Sequence, residues 1–439
     1  MSLKKKIADR KAVVGVIGLG YVGLPLLRAF WDAGFKVLGF DVDKKKVQLL
    51  REGRNYLQHL GNDLVRGMVR GGGSSRFTAT EDFGRMREAD AIIVCVPTPL
   101  GRHLEPDLSY IETTSDQIAR ILRSGQIVVL ESTSYPLTTR EVMLPRFEAT
   151  GLKCGRDFYL AFSPEREDPG RKDFNTRTIP KLVGGIDKIS GELATALYAK
   201  AIKQVIPVPT AEVAEASKLL ENIYRAVNIA LVNEMKIVLT AMGINIWDVI
   251  AAASTKPFGF QPFYPGSGLG GHCIPIDPFY LTWKAREIGL STRFIELAGE
   301  INRTMPEYVV QRIFEALNAR GKAVPGSKVL VLGLAYKPDI DDVRESPSFE
   351  LIEKLSERGA RVDYNDPYVS ETHKMRRHDL GMKSVPLTRK SLAKYDCVVV
   401  STNHKVYDWQ MIADSAKLIV DTRNALGKVK GHRDHIVMA

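Results

Sequence analysis

One cysteine set among glycines is the residue in this 439-residue chain best placed to do covalent chemistry. Cys273 lies in Gly266-Ser267-Gly268-Leu269-Gly270-Gly271-His272-Cys273-Ile274-Pro275-Ile276-Asp277-Pro278. Pro275 and Pro278 exclude a regular helix through that segment, and its glycines let backbone amides face a ligand. A thiol in such a loop is accessible, and a thiolate captures a carbonyl carbon well. A lone cysteine also serves often as a small core residue. That second reading suits Cys95 and Cys397, which fall in apolar runs. Lys218 and Asn222 form another pair of interest. They stand four residues apart, hence on one helical face, among Leu219, Leu220, Ile223 and Val227. An ammonium in such surroundings is costly unless it is paired or functional. The alternative is a lysine whose stem lies along apolar surface while its head stays in water.

A second constellation, Gly18-Leu19-Gly20-Tyr21-Val22-Gly23, follows an apolar strand and opens a helical run. Gly18 suits a tight turn, Gly20 lets the backbone around Tyr21 and Val22 approach a pyrophosphate, and Gly23 lets the helix pack on the sheet. Asp41 stands 18 residues past Gly23, at the end of the next strand. Its carboxylate suits a ribose 2′-OH and repels a 2′-phosphate, which favours NAD over NADP, although Lys44, Lys45 and Lys46 stand nearby. Polar clusters close the following strands: Val96-Pro97-Thr98-Pro99, Glu131-Ser132-Thr133 and Ser163-Pro164-Glu165. Ligands of parallel sheets bind beyond those strand ends, and the same residues are also ordinary turn formers.

The elements that must position these groups alternate strand and helix, which predicts an α/β fold with parallel sheets. Strands are expected at Val13–Ile17, Lys36–Phe40, Ala91–Val96, Ile127–Leu130 and Tyr159–Phe162, each apolar enough to be covered on both faces. A long helix is expected from Thr210, its N-cap, to Met242, with Gly243 beyond it. Apolar residues run nearly all round it, as in a buried helix or an oligomer contact. Lys256–Pro278 is too rich in Gly and Pro for regular structure, and a helical stretch spans about Phe279 to Asn302. After Pro325-Gly326 the alternation restarts. Strands are expected at Lys328–Leu332, Arg361–Tyr364, Asp396–Ser401 and Leu418–Asp421, and Ser346-Pro347 opens a helix. The expected architecture is two Rossmann-like doubly wound domains, 1–208 and 323–439, joined by a central helical region, 209–322.

Composition narrows the class. Hydrophobic residues at 44% and charged residues at 26% exclude a disordered or fibrous chain. The four cysteines form no CxxC pair, so neither a disulfide framework nor a metal site is expected, and a reducing cytoplasm fits. Lys4-Lys5-Lys6 before the apolar stretch Ala12–Leu27 imitates a secretory signal, but four glycines and Pro25 interrupt it and no membrane span is expected. The net charge of +11 comes from scattered residues rather than a basic patch, so nucleic acid is not the expected partner, whereas phosphate-bearing small ligands are.

These motifs together, in this order, resemble the UDP-glucose/GDP-mannose dehydrogenase family of nucleotide-sugar 6-dehydrogenases over nearly the whole chain. The segments that carry the resemblance are Gly18–Gly23, Glu131-Ser132-Thr133, Ser163-Pro164-Glu165, Glu215–Asn222, Gly270–Asp277, Gly333-Leu334-Ala335-Tyr336-Lys337 and Asp342-Val343-Arg344-Glu345-Ser346. The resemblance implies four-electron oxidation of a sugar C6 hydroxymethyl to a carboxylate with two NAD in succession. Cys273 would hold the aldehyde as a thiohemiacetal and then a thioester. Lys218 and Asn222 would stabilise the oxyanion, and Glu165, Thr133 and Asp277 would take acid/base and water-positioning roles. It further implies Thr98, Thr133 and Arg344 at the cofactor, and Tyr264, Gly268, Gly270, Gly271, Lys337, Glu165, Lys218 and Asn222 at the substrate. The C-terminal unit would bind UDP, and the central helix would join a homodimer or higher oligomer. The related loop usually reads Pro-Gly-Pro-Gly, so Ser267 in place of the second proline is expected to loosen it slightly.

Gly-Gly-His-Cys-Ile-Pro-Ile-Asp-Pro-Phe-Tyr-Leu resembles the branch acting on UDP-N-acetylhexosamines for surface polysaccharides, nearest its UDP-N-acetylglucosamine members. UDP-glucose, UDP-N-acetylgalactosamine and UDP-N-acetylmannosamine are the alternatives within the family. A two-electron β-hydroxyacid-type dehydrogenase would leave Cys273 and the C-terminal unit without use, and a nucleotide-sensing or DNA-associated protein rests only on the charge.

Overall fold

The computed structural model describes residues 1–57, 63–69, 76–101, 104–166, 175–271, 274–375 and 378–439. They divide into two compact units: Met1–Glu221 with Phe279–Ser291, and Asn222–Pro278 with Thr292–Ala439.

The first unit holds strands β1 (Val13–Ile17), β2 (Lys36–Phe40), β3 (Phe77–Thr80), β4 (Ala91–Val94), β5 (Ile127–Leu130), β6 (Tyr159–Phe162), β7 (Lys181–Gly185) and β8 (Val205–Pro207), in the order β3-β2-β1-β4-β5-β6-β7-β8. β1 pairs in parallel with β2 on one side and β4 on the other, so Ile17 faces both Phe40 and Val94. Chain order reverses there, which is where doubly wound sheets bind their ligands. Four of the five expected strands fall at their expected bounds, and the expected Ala91–Val96 ends at Val94. β3, β7 and β8 escape the sequence reading because Thr, Gly and Pro interrupt their short apolar runs. β7 is antiparallel to β6, a departure from the otherwise parallel sheet.

The second unit is built on β9 (Lys328–Leu332), β10 (Arg361–Asn365), β11 (Cys397–Val400), β12 (Ile419–Asp421) and β13 (Ile436–Met438), all parallel, in the order β10-β9-β11-β12-β13. The two sheets share a device at their first turns. The Gly18 N–H donates to the Phe40 carbonyl, and the Gly333 N–H donates to the Asn365 carbonyl, both at 2.8 Å. Asp41 and Asp366, each one residue past the paired strand, accept the next amides, Leu19 at 3.0 Å and Leu334 at 2.6 Å. The turns then differ. A helix begins at Gly23 in the first unit, but in the second the helix Pro347–Glu357 begins 14 residues after Gly333, capped by Ser346.

The long helix spans Ala211–Ala241, with the Thr210 hydroxyl accepting from the Val213 amide and Gly243 at φ 75° beyond its end. The stretch expected as one helix from Phe279 is two, Asp277–Glu287 and Arg293–Asn318. Pro278 falls in the first turn of the former, where its missing N–H costs nothing, and Gly289 at φ 76° ends that helix. Pro306 lies inside the latter, which buries Val309, Val310, Ile313 and Leu317 in the second core. Among the described residues no helix is long and apolar enough to cross a membrane.

Candidate active site

The glycine turn of the first unit suits a pyrophosphate. A Cβ on Gly23 would strike the Gly18 carbonyl, so only glycine lets the helix start this close to the turn, whereas a Cβ on Gly20 would meet nothing within 4 Å. Helix Gly23–Asp32 has no side-chain cap and no acid in its first turn, which leaves its N-terminal field to an anion. Asp41 is buried, and its Oδ1 accepts the Asp43 amide at 2.9 Å while Oδ2 holds Leu19. The carboxylate therefore ties the turn to β2 and retains lone pairs for a ribose hydroxyl. Tyr21 is partly exposed at the turn and Val22 is the residue before the helix. This arrangement fits NAD.

Thr98, Thr133 and Glu165 follow β4, β5 and β6, neighbours in the sheet, so topology brings them to one edge with the glycine turn. The Tyr280 hydroxyl donates to the Thr98 carbonyl, and Ser132 Oγ donates to the Val96 carbonyl at 2.6 Å, fixing the loop that carries Thr133. Glu165 Oε1 accepts the Arg166 amide at 2.6 Å, and Oε2 lies 3.6 Å from Lys181 Nζ. Lys181 Nζ also donates to Glu131 Oε2 at 2.7 Å and to the Pro164 carbonyl at 3.3 Å, while the Tyr198 hydroxyl donates to Glu131. Burial opposes the Lys181 ammonium, but the carboxylates of Glu131 and Glu165 outweigh it and hold the group protonated beyond the usual lysine range. Glu131 is pushed up to about 7 by burial, against the pull of Lys181.

Lys218 is buried, one helical turn before Asn222. Glu215, at the preceding turn, is also buried, which raises it to about 7. It accepts the Leu137 amide at 2.6 Å and the Thr139 amide and hydroxyl at 2.9 and 2.6 Å. The start of the long helix is thereby pinned to the segment that follows Thr133.

In the second unit Asn222 Nδ2 donates to Asp277 Oδ2 at 2.5 Å, with both side chains buried. Two residues implied in the chemistry are thus in contact. His272 and Cys273 lie outside the described residues. The loop before them packs on the C-terminal edge of the second sheet. A Cβ on Gly270 would collide with Tyr336 and stand 3.1 Å from the Glu345 carbonyl, and the Gly271 N–H donates to the Arg344 carbonyl at 2.9 Å. At these positions glycine serves close packing, and the Gly271 amide, expected to face a ligand, bonds the chain instead. A Cβ on Gly268 would come within 3.1 Å of Pro347. Tyr264 is half-exposed and stacks on Trp247. The Arg344 guanidinium forks onto Asp342 at 2.6–3.1 Å, and Lys337 lies half-buried in the segment after β9.

Ser267 does not loosen the loop. Its hydroxyl is buried 3.4 Å from Ser401 Oγ, which lies 2.7 Å from Ser348 Oγ, and Ser348 donates to the Gly333 carbonyl at 2.9 Å. The neighbouring Gly266 is gripped from the long helix: Asn233 Oδ1 accepts its N–H at 3.0 Å and Lys236 Nζ donates to its carbonyl at 3.3 Å. Arg423, two residues past β12, packs on Gly266 and donates to the Ser401 carbonyl at 2.9 Å. Burial lowers it to about 10 against the pull of Asp421. Sequence reasoning missed Lys181, Lys236 and Arg423. An arginine two residues after an apolar strand, at the ligand edge of a sheet, was the available signal for the last.

Residues 12–202 match the NAD binding domain of the UDP-glucose/GDP-mannose dehydrogenase family, 212–304 its central domain and 330–428 its UDP binding domain. The chain belongs to that family. It is an NAD-dependent nucleotide-sugar dehydrogenase, an oxidoreductase with a UDP binding domain. It is 36% identical over 396 residues to the UDP-N-acetyl-D-glucosamine 6-dehydrogenase of Pseudomonas aeruginosa, which covers 90% of this chain and 91% of that one. It is 35% identical to the UDP-N-acetyl-D-mannosamine dehydrogenase of Campylobacter jejuni over 90% of this chain and 96% of the relative. The solved UDP-D-ManNAc dehydrogenase from Pyrococcus horikoshii superposes with a TM-score of 0.84 at 31% identity, covering 97% of this chain and 98% of the other.

Proposed function

We propose that this dehydrogenase oxidises the C6 hydroxymethyl of a UDP-N-acetylhexosamine, with UDP-N-acetylglucosamine preferred, to the uronate. Gly18, Gly20, Tyr21, Val22, Gly23, Asp41, Thr98 and Thr133 would hold NAD, with Arg344 as a further contact, and two NAD bound in succession would supply the two hydride acceptors. The observation that carries the reading is the buried Asn222–Asp277 hydrogen bond at 2.5 Å, four residues along the chain from Cys273. Cys273 adds to the C6 aldehyde to give a thiohemiacetal, whose oxidation leaves a thioester. Lys218 and Asn222, on one helical face, donate to the oxyanion at each stage. Glu165 and Thr133 handle the hydroxyl proton and the attacking water, and Asp277 takes the water's proton as the thioester opens to carboxylate and thiol. Lys337, Tyr264, Gly268, Gly270 and Gly271 line the nucleotide-sugar site.

The preference for an acetamido sugar rests on Ile276. Its side chain is buried immediately before the helix that starts with Asp277-Pro278-Phe279-Tyr280, where a charged residue would need a partner. The relatives named for acetamido sugars support the same class. We propose segments 1–208, 209–322 and 323–439 as the cofactor, central and UDP-sugar domains of a cytoplasmic homodimer or higher oligomer that supplies uronates for surface polysaccharides.

A panel of UDP-GlcNAc, UDP-GalNAc, UDP-ManNAc, UDP-glucose and GDP-mannose with NAD tests the reading through NADH absorbance. The expected result is the highest kcat/KM with UDP-GlcNAc and two NADH per uronate. Preference for UDP-ManNAc or UDP-glucose would overturn the sugar, and one NADH per sugar would overturn the thioester route.

A further inference from the structure

The chemistry proposed above gives no task to Lys181, Glu131 or Tyr198, although together they form an enclosed charged cluster at the ligand edge of the first sheet. All three are buried side chains. β7 runs antiparallel to β6 and pairs Gly184 with Phe162, so its first residue, Lys181, projects past the end of β6, beside Pro164 and Glu165. The antiparallel pairing is what brings an ammonium to this edge. A parallel β7 would present its C-terminal glycine at that edge and no ammonium.

We propose that Lys181 is a positioning residue for Glu165. Its Nζ stands 3.6 Å from Glu165 Oε2 while it donates to Glu131 at 2.7 Å and to the Pro164 carbonyl at 3.3 Å. Those last two contacts and the Tyr198–Glu131 bond fix the ammonium, and Pro164, the residue before Glu165, is held by the same atom. The other Glu165 oxygen takes the Arg166 amide at 2.6 Å. The carboxylate is therefore oriented at both oxygens, and Glu131 acts behind Lys181 as its counter-charge. Small errors in the placement of an acid/base group cost large factors in rate and little in binding, so the cluster should matter for turnover rather than for affinity.

The inference rests on the acid/base role given to Glu165, and a double-mutant cycle separates the two. With NAD and the best sugar of the panel, Lys181→Met should lower kcat by about 100-fold with KM for the sugar changed less than about 3-fold. Lys181→Arg should recover most of that loss. In a Glu165→Gln background, adding Lys181→Met should cost less than about 3-fold further. Where Lys181→Met alone strands the Glu131 carboxylate and does not fold, Lys181→Met with Glu131→Gln removes both charges and should show the same loss of kcat. A slow Glu165→Gln on which Lys181→Met multiplies in full would overturn the positioning role alone. Wild-type kcat in Glu165→Gln would overturn the role of Glu165, and the positioning with it.

Discussion

At the scale of single residues, Asp41 shows how one carboxylate holds a fold and selects a ligand. It accepts the Leu19 and Asp43 amides, so it shapes the glycine turn before any ribose arrives. Asp41→Asn keeps an acceptor but removes the charge that repels a 2′-phosphate. The ratio of kcat/KM for NAD over NADP should fall at least tenfold, about 1.4 kcal/mol. Asp41→Ala should also raise the KM for NAD, because the Leu19 amide loses its acceptor. An unchanged ratio in Asp41→Asn, measured by steady-state kinetics with both cofactors, would overturn the assignment. Asp41 was legible in the sequence because a strand, a turn and a fixed spacing place it. The pairing of Lys181 with Glu131 was not, because it crosses 50 residues and depends on the direction of a strand with no strong apolar signal. Ser267 was misread for the same reason, its partner Ser401, which Ser348 holds in turn, lying far along the chain.

Elements were legible where one physical signal ran unbroken. β1, β2, β5, β6 and β9 are continuous apolar runs and fall at their expected bounds, whereas β3, β7, β8 and β13 are short or mixed. The glycine loop was recognisable as irregular, but its anchorage to the long helix through Asn233 and Lys236 was not. That anchorage has a pH signature. Burial, then repulsion from Arg423 and Arg312, lowers Lys236 to about 7, against about 10.4 in an unfolded chain. Between those values the unfolded chain binds more protons than the folded one, so stability rises with pH across the window and is lost as pH falls toward 7. The full effect is on the order of 5 kcal/mol. Lys236→Met cannot titrate, so its denaturant midpoint should climb less than that of the wild type between pH 7 and 10. The variant should be relatively more stable at pH 6.5 despite losing the bond to Gly266. Parallel midpoint curves from urea unfolding across this range would show that Lys236 keeps its proton in the folded chain and is not lowered by burial.

For the whole molecule, the long helix carries the feature that a single chain leaves unused. Leu220, Tyr224, Leu231, Met235 and Val238, and Met242 just past its end, are all exposed, with Leu220 at 68%, Leu231 at 54% and Met242 at 66%. From Tyr224 onward the spacings of 7, 4, 3 and 4 follow the a and d positions of a heptad, with Leu220 at the flanking g position, the pattern of a seam that packs against another helix. An apolar stripe of this length is unusual on a monomer's surface. The same face on a second copy is self-complementary across a two-fold axis, which supports the homodimer proposed above. Light scattering coupled to gel filtration should then give at least twice the 48.8 kDa of one chain. Leu231→Asp with Val238→Asp puts two like charges into each copy of the seam, facing their symmetry mates, and should reduce the mass to that of one chain at micromolar concentration. Both residues are exposed, so the fold of each unit should persist, as unchanged far-UV circular dichroism would register. A wild-type chain that elutes as a monomer, or a doubly substituted one that keeps the wild-type mass, would place the contact elsewhere.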